Sequence, residues 1–117
     1  MKKRTAVFIC LLVLGAALLF AHSPLFSMYD NGDGTFTVQA GYSDGSSAAN
    51  AEILIENPKE KNPKKAVIWR GKLDKNGEIT IKYADIKVDG KVIKNFIVVF
   101  NGGNGHILKK PSTKIEK

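Results

Sequence analysis

The chain has 117 residues, a formal charge of +7, two histidines and one cysteine. This length suits one domain, and a lone cysteine excludes a disulfide-stapled scaffold. Residues 22–58 contain five acids and no Lys or Arg, whereas 59–117 contain fifteen Lys or Arg and six acids. The lysines are spread through strand and turn positions, which reads as a solvated basic surface and not as a nucleic-acid face.

Lys2, Lys3 and Arg4 open the chain, and Ala6 to Ala21 then runs sixteen residues without a charge. That stretch lies between a secretory apolar region of about 7–15 residues and a membrane span of about 20. Ser23 and Pro24 end its helical potential, so the expectation is a signal peptide over 1–21, with retention as an anchor the alternative. Cleavage after Ala21 makes His22 the first residue of a domain spanning 22–117. A cut after Ser23 satisfies the A-x-S pattern but sets Pro24 across the scissile bond. Cys10 lies inside the apolar stretch and no cysteine comes after it. The domain is therefore expected outside the cytoplasm, in a periplasm or on the outer face of the membrane, held together by its core alone.

Past Pro24 the helical period disappears and strand signals recur. Leu25 to Tyr29 is a short apolar run closed by the N-G-D-G turn at 31–34. Thr35 to Tyr42 comes next, then a loop at 43–47 and a strand over Ala51 to Glu56. N-P-K-E-K-N-P-K-K at 57–65 reads as a polar loop. Ala66 to Leu73 and Glu78 to Tyr83 flank D-K-N-G at 74–77 as the arms of a hairpin, and Asp89-Gly90 marks another turn. The continuous F-I-V-V-F at 96–100 has the pattern of a strand buried on both faces. N-G-G-N-G at 101–105 breaks it, His106 to Lys109 forms a last strand, and the tail after Pro111 reads as disordered. Short strands at this spacing predict an all-β, antiparallel β-sandwich of about seven strands. The expected core is Ile53, Ile55, Val67, Trp69, Ile79, Ile81, Phe96 and Val98.

No nucleophile elbow, H-E-x-x-H or cysteine nucleophile is present, so an enzyme is not the expectation. D-N-G-D-G at 30–34 and D-K-N-G-E at 74–78 place glycines where a calcium loop needs oxygens, and read as turns. The lysines of 59–65 are interrupted by Glu60 and lack an aromatic partner, which favours a solvated loop over a lipid-docking one.

The histidines carry the chemistry. His22, once N-terminal, offers its α-amine and imidazole Nδ1 as a chelate, and imidazole suits Ni, Cu and Zn. The α-amine, with a pKa of about 7.7–8.0, is partly deprotonated near neutrality. Pro24 lacks an amide proton, which excludes the square-planar amino-terminal motif. His106 comes after a glycine loop able to bend sharply. If the first and last strands ran in parallel, both histidines would begin a strand at the same end, although 84 positions apart.

A-H at 21–22, G-Y-S-D-G-S-S-A-A-N-A-E-I-L-I at 41–55, G-K-L-D-K-N-G-E-I-T-I at 71–81 and I-V-V-F-N-G-G-N-G-H at 97–106 occur in that order. Together they resemble the small extracytoplasmic accessory proteins of energy-coupling-factor nickel and cobalt transporters, the NikL-type components. The D-x-N-G-E part is shared with transthyretin-like and carboxypeptidase-regulatory-like sandwiches and bears on fold only, which implies a transthyretin-like or Ig-like sandwich. The lengthened loop at 57–65 and Asn104, where an apolar residue is expected, depart from the pattern. The resemblance implies Ni(II) or Co(II) as transported cargo, His22 and His106 as ligands, and membrane-embedded transporter subunits as partners. Gly102, Gly103 and Gly105 would place His106, and Asn101 or Asn104 would orient it as an outer partner. The alternative is a non-catalytic module that binds proteins or glycans and uses both histidines structurally.

Overall fold

The computed structural model describes residues 23–103 and 105–117. The apolar stretch, its cleavage point, His22 and Asn104 lie outside the described residues. From Pro24 onward the chain folds as an all-β sandwich of antiparallel sheets. The first sheet contains β1 (Pro24–Asp30), β2 (Thr35–Tyr42) and β5 (Glu78–Lys82), in the order β1-β2-β5. The second contains β3 (Glu52–Glu56), β4 (Val67–Lys72), β8 (Ile97–Asn101) and β9 (Ile107–Pro111), in the order β4-β3-β8-β9. A ribbon of β6 (Lys87–Val88) and β7 (Lys91–Val92) closes around Asp89 and Gly90. Both turn residues have positive φ, 52° and 79°, as a two-residue hairpin of primed type requires.

β2 and β5 alternate inward and outward with a period of two. Phe36, Val38 and Ala40 on β2 and Ile81 on β5 face inward, opposite Ile53, Ile55, Val98 and Phe100 of the second sheet. Phe36 stacks on Phe96 at 5.7 Å and tilts against Tyr83 at 5.0 Å, which fills one end of the core. Side chains buried this fully stabilise a domain by about 1.5–3 kcal/mol each. Val99 is buried on the opposite face of β8 from Val98, so the doubly buried reading of F-I-V-V-F holds there.

Of the expected core, Ile53, Ile55, Ile81, Phe96 and Val98 are buried, and Trp69 and Ile79 pack against them half-buried. Val67 does not join them. The register passes from Ile55 opposite Trp69 to Glu56 opposite Val67, which leaves Ile68 as the extra residue of a β-bulge. Val67 therefore shares the outer face with Glu56, and Ile68 packs on the core instead. Gly71 lies beneath the Trp69 ring: a Cβ there would stand 2.5 Å from Trp69 Cη2 and 2.8 Å from Ile79 Cδ1.

The D-K-N-G turn closes as expected, with Asp74 Oδ1 accepting from the amides of Asn76 and Glu78 and the Asp74 amide donating to the Glu78 carbonyl. Its arms, however, are not hairpin partners. β4 pairs with β3 and β5 with β2, so the turn is a corner between sheets, with Leu73 buried at its base. The polar loop at 57–65 contains a helical turn, α1 (Pro63–Ala66). Asn62 caps it through Oδ1 to the Lys64 amide, and Pro63 stands where a missing N–H costs nothing.

The tail is ordered, against expectation. Ser112 exchanges hydrogen bonds with Phe96, its amide donating to the Phe96 carbonyl and its Oγ accepting from the Phe96 amide. A 3-10 turn over Ser112–Lys114 then brings Ile115 onto the core and Glu116 alongside β1. Glu116 donates to Met28 O and accepts from the Asp30 amide, a parallel bridge. A polar composition hid this because one apolar residue and two main-chain bonds suffice to dock it.

Candidate functional site at one end of the sandwich

The registers define the two ends. Pro24 lies opposite Tyr42, Glu52 opposite Asn101, and Asn101 opposite Ile107, so the start of β1, the end of β2, the end of β8 and the start of β9 share one end. There the ring of Tyr42 meets Phe100 edge-on at 5.9 Å and the imidazole of His106 edge-on at 6.1 Å. Tyr42 thus joins the two sheets at the mouth of the sandwich.

His106 is held by its backbone. Its amide donates to Gly103 O and its carbonyl accepts from the Gly102 amide, closing a tight loop between β8 and β9. The loop needs glycine at each predicted position, for two different reasons. Gly103 and Gly105 have φ of +79° and +81°, the left-handed region that side chains disfavour. Gly102 is a close approach: a Cβ on it would stand 2.6 Å from the Tyr42 hydroxyl, 3.2 Å from Phe100 Cε1 and 3.3 Å from His106 Cβ. Asn101 Oδ1 accepts from the Gly103 amide and so shapes the turn, and no hydrogen bond joins it to the imidazole. The His106 ring is half-buried and forms no side-chain hydrogen bond with the described residues, which leaves its nitrogens open to a ligand.

The start of β1 is fastened to the same corner. Ser23 O accepts from the Ser43 amide, and the Ser23 amide donates to Ser43 Oγ at 3.2 Å. Ser43 is the neighbour of Tyr42, whose ring touches His106. The expected parallel pairing of first and last strands takes a different form, since β1 and β9 belong to different sheets and share no ladder. They nevertheless run in the same direction along one side of the sandwich. Lys110 points inward from β9, its ammonium 5.0 Å above the Phe26 ring and donating to Phe26 O, and further on Glu116 bridges Tyr29. An inward-pointing lysine at a sheet edge also guards that edge against unwanted strand pairing.

Charge is divided between the ends. The loops at the histidine end, 43–51, 73–77 and 102–106, contain Asp44, Asp74 and a single lysine, Lys75. Loops 31–34, 57–66, 83–96 and 112–117 at the far end contain nine lysines and five acids, Asp33, Glu60, Asp85, Asp89 and Glu116. Among the described residues no group of three or more His, Cys, Asp or Glu side chains could hold a metal ion. The acidic turns spend their carboxylates internally: Asp33 Oδ1 accepts from the Thr35 amide and hydroxyl, and Asp74 Oδ1 caps its own corner. Asp30 Oδ2 accepts from the Tyr83 hydroxyl at 2.8 Å, a pair 53 positions apart that no local motif signals. No family model, curated protein or solved structure matches the chain.

Proposed function

We propose that the protein binds a divalent cation, Ni(II) or Co(II), as cargo at the Tyr42 end and presents it to a membrane-embedded transport subunit. The ligands in this reading are the α-amine and imidazole of His22, as the first residue after cleavage, and the imidazole of His106. The observation that carries it is the corner at Tyr42. The residue next to His22 is bonded to Ser43, and the ring beside Ser43 touches His106. Lys110 of β9 reaches the Phe26 carbonyl of β1, which ties the strand that follows His106 to the strand that follows Ser23.

Two further features support it. A site with three nitrogen ligands keeps coordination positions open, as release to an acceptor requires, and imidazole suits these ions. The near absence of lysine from this end spares a bound dication the repulsion it would meet at the other. Ligand chemistry alone would favour Cu(II), so the choice of nickel or cobalt rests on the resemblance of the A-H and N-G-G-N-G-H elements.

The test is a calorimetric Ni(II) titration of protein beginning at His22, beside His106→Ala and a form carrying one extra N-terminal residue. The expected result is one-to-one binding that is lost or much weakened in both controls. Binding no stronger than that of an unrelated protein would overturn the reading. The second reading, a non-catalytic protein- or glycan-binding module with structural histidines, is favoured by exposed Leu25 and Ile107, at 54% and 53%, near the starts of β1 and β9.

A further inference from the structure

The far end of the sandwich contains a cavity of about 510 Å3, within the range of about 300–1,000 Å3 typical of small-molecule sites. Phe96, Ile93, Ile115 and the Tyr83 ring make it largely apolar, and Val92, 50% exposed, forms its lip. Its one acidic side chain is already engaged. Asp30 accepts from the Tyr83 hydroxyl and, through Oδ1, from the Gly32 amide at 2.7 Å, and Lys117 faces it. The Ser112 hydroxyl is spent on Lys94 O and the Phe96 amide.

Beside the neutral Asn95 and Thr113, what remains for a ligand is cationic. Lys94 lines the cavity, and among the described residues no carboxylate is within ion-pairing distance of its ammonium. A smaller cavity shares Ile93, Lys94 and Asn95 with the first and adds Lys59, which is likewise unpaired among the described residues. Segment 93–95 is thus a wall between an apolar chamber and a second lysine, at the end of the molecule where the lysines collect. An apolar chamber with an unmatched ammonium at its mouth complements a molecule with an apolar body and an anionic head.

We infer that this chamber binds a small amphipathic anion, a carboxylate with an aliphatic or aromatic body, with the body against Phe96, Ile93 and Ile115 and the head at Lys94. The site is at the opposite end from the proposed metal site and stands or falls independently of it. No residue is shared between them.

The test uses isotope-labelled protein beginning at His22, which contains every residue of the described core. Amide spectra are recorded during titration with decanoate and, separately, with decyltrimethylammonium, which carries the same tail on a cationic head. The expected result is saturable displacement of amides in 92–96 and 112–117 by decanoate alone, weakened roughly tenfold by Lys94→Glu. Lys94 is exposed and only its carbonyl is hydrogen bonded, so the substitution leaves the fold intact, as an unchanged melting curve would verify. Equal displacement by both heads, no saturable displacement, or indifference to Lys94→Glu would each overturn the inference. So would a response to phosphatidylglycerol vesicles without one to free decanoate, which would make this end a membrane-facing surface.

Discussion

Gly102→Ala is the sharpest perturbation of the corner that the functional reading depends on. The added methyl would lie 2.6 Å from the Tyr42 hydroxyl, where ordinary contact begins near 3.4 Å, with Phe100 and His106 closing its other sides at 3.2 and 3.3 Å. The Tyr42 ring must shift to make room, and its contacts with Phe100 and His106 and the Gly102–His106 hydrogen bond that closes the loop resist that shift. Overpacking of this kind costs about 1–3 kcal/mol. In a domain of this size that corresponds to a fall in Tm of roughly 4–24 °C. The assay is thermal unfolding monitored by circular dichroism, run as a double-mutant cycle with Tyr42→Phe. Removing the hydroxyl removes the nearest atom, so Gly102→Ala should cost about 1 kcal/mol less in the Tyr42→Phe background. Equal costs in both backgrounds would refute the hydroxyl as the cause and leave the Phe100 and His106 contacts to account for the loss.

Two more predictions concern the far end. Burial, and then the hydrogen bond to Asp30, push the Tyr83 hydroxyl from 10.0 up to about 12. The folded state therefore holds this proton more tightly than the unfolded chain, and its contribution is complete below pH 10 and lost as pH rises toward 12. Tyr83→Phe should flatten the alkaline loss of stability between those values in denaturant titrations; an unchanged slope would contradict the assignment. The Gly32 amide and then the Tyr83 hydroxyl hold Asp30 below its ordinary 3.8, so its own contribution fades only as pH falls through that range. Ile115→Ala should destabilise the domain by about 1–3 kcal/mol, toward the lower end for a half-buried side chain. Hydrogen exchange should then accelerate at the Asp30 and Glu116 amides before the centres of β2 and β3. Uniform acceleration would show that the tail is not a separable clip.

The strands were legible because their physics is local. Alternation in Thr35 to Tyr42, the uninterrupted F-I-V-V-F and turn pairs such as Asp89-Gly90 depend on neighbours in sequence, and the strand limits came out within a residue or two. So did the glycines before His106, because a left-handed turn has few other solutions. The helical turn at 63–66 was also readable in principle, since Asn62-Pro63 is a cap and a first-turn proline in succession.

What sequence alone could not decide is which residues meet. Val67 and Trp69 alternate perfectly on paper, and only the bulge against Ile55 and Glu56 turns Val67 outward. Asp74 to Gly77 is a competent hairpin turn, yet burial of Leu73 and pairing with β2 and β3 send its arms to different sheets. The tail looked free because its polar residues conceal Ile115, whose pocket exists only once β1 and the 92–96 segment are in place. His106 was identifiable as a candidate by its glycine loop. Its neighbour Tyr42, sixty-four positions earlier, and the grouping of Asp30, Tyr83 and Lys94 around one chamber were set by sheet order. Local propensity is written in each short segment, whereas a site is a property of distant segments and exists only when the packing that joins them is complete.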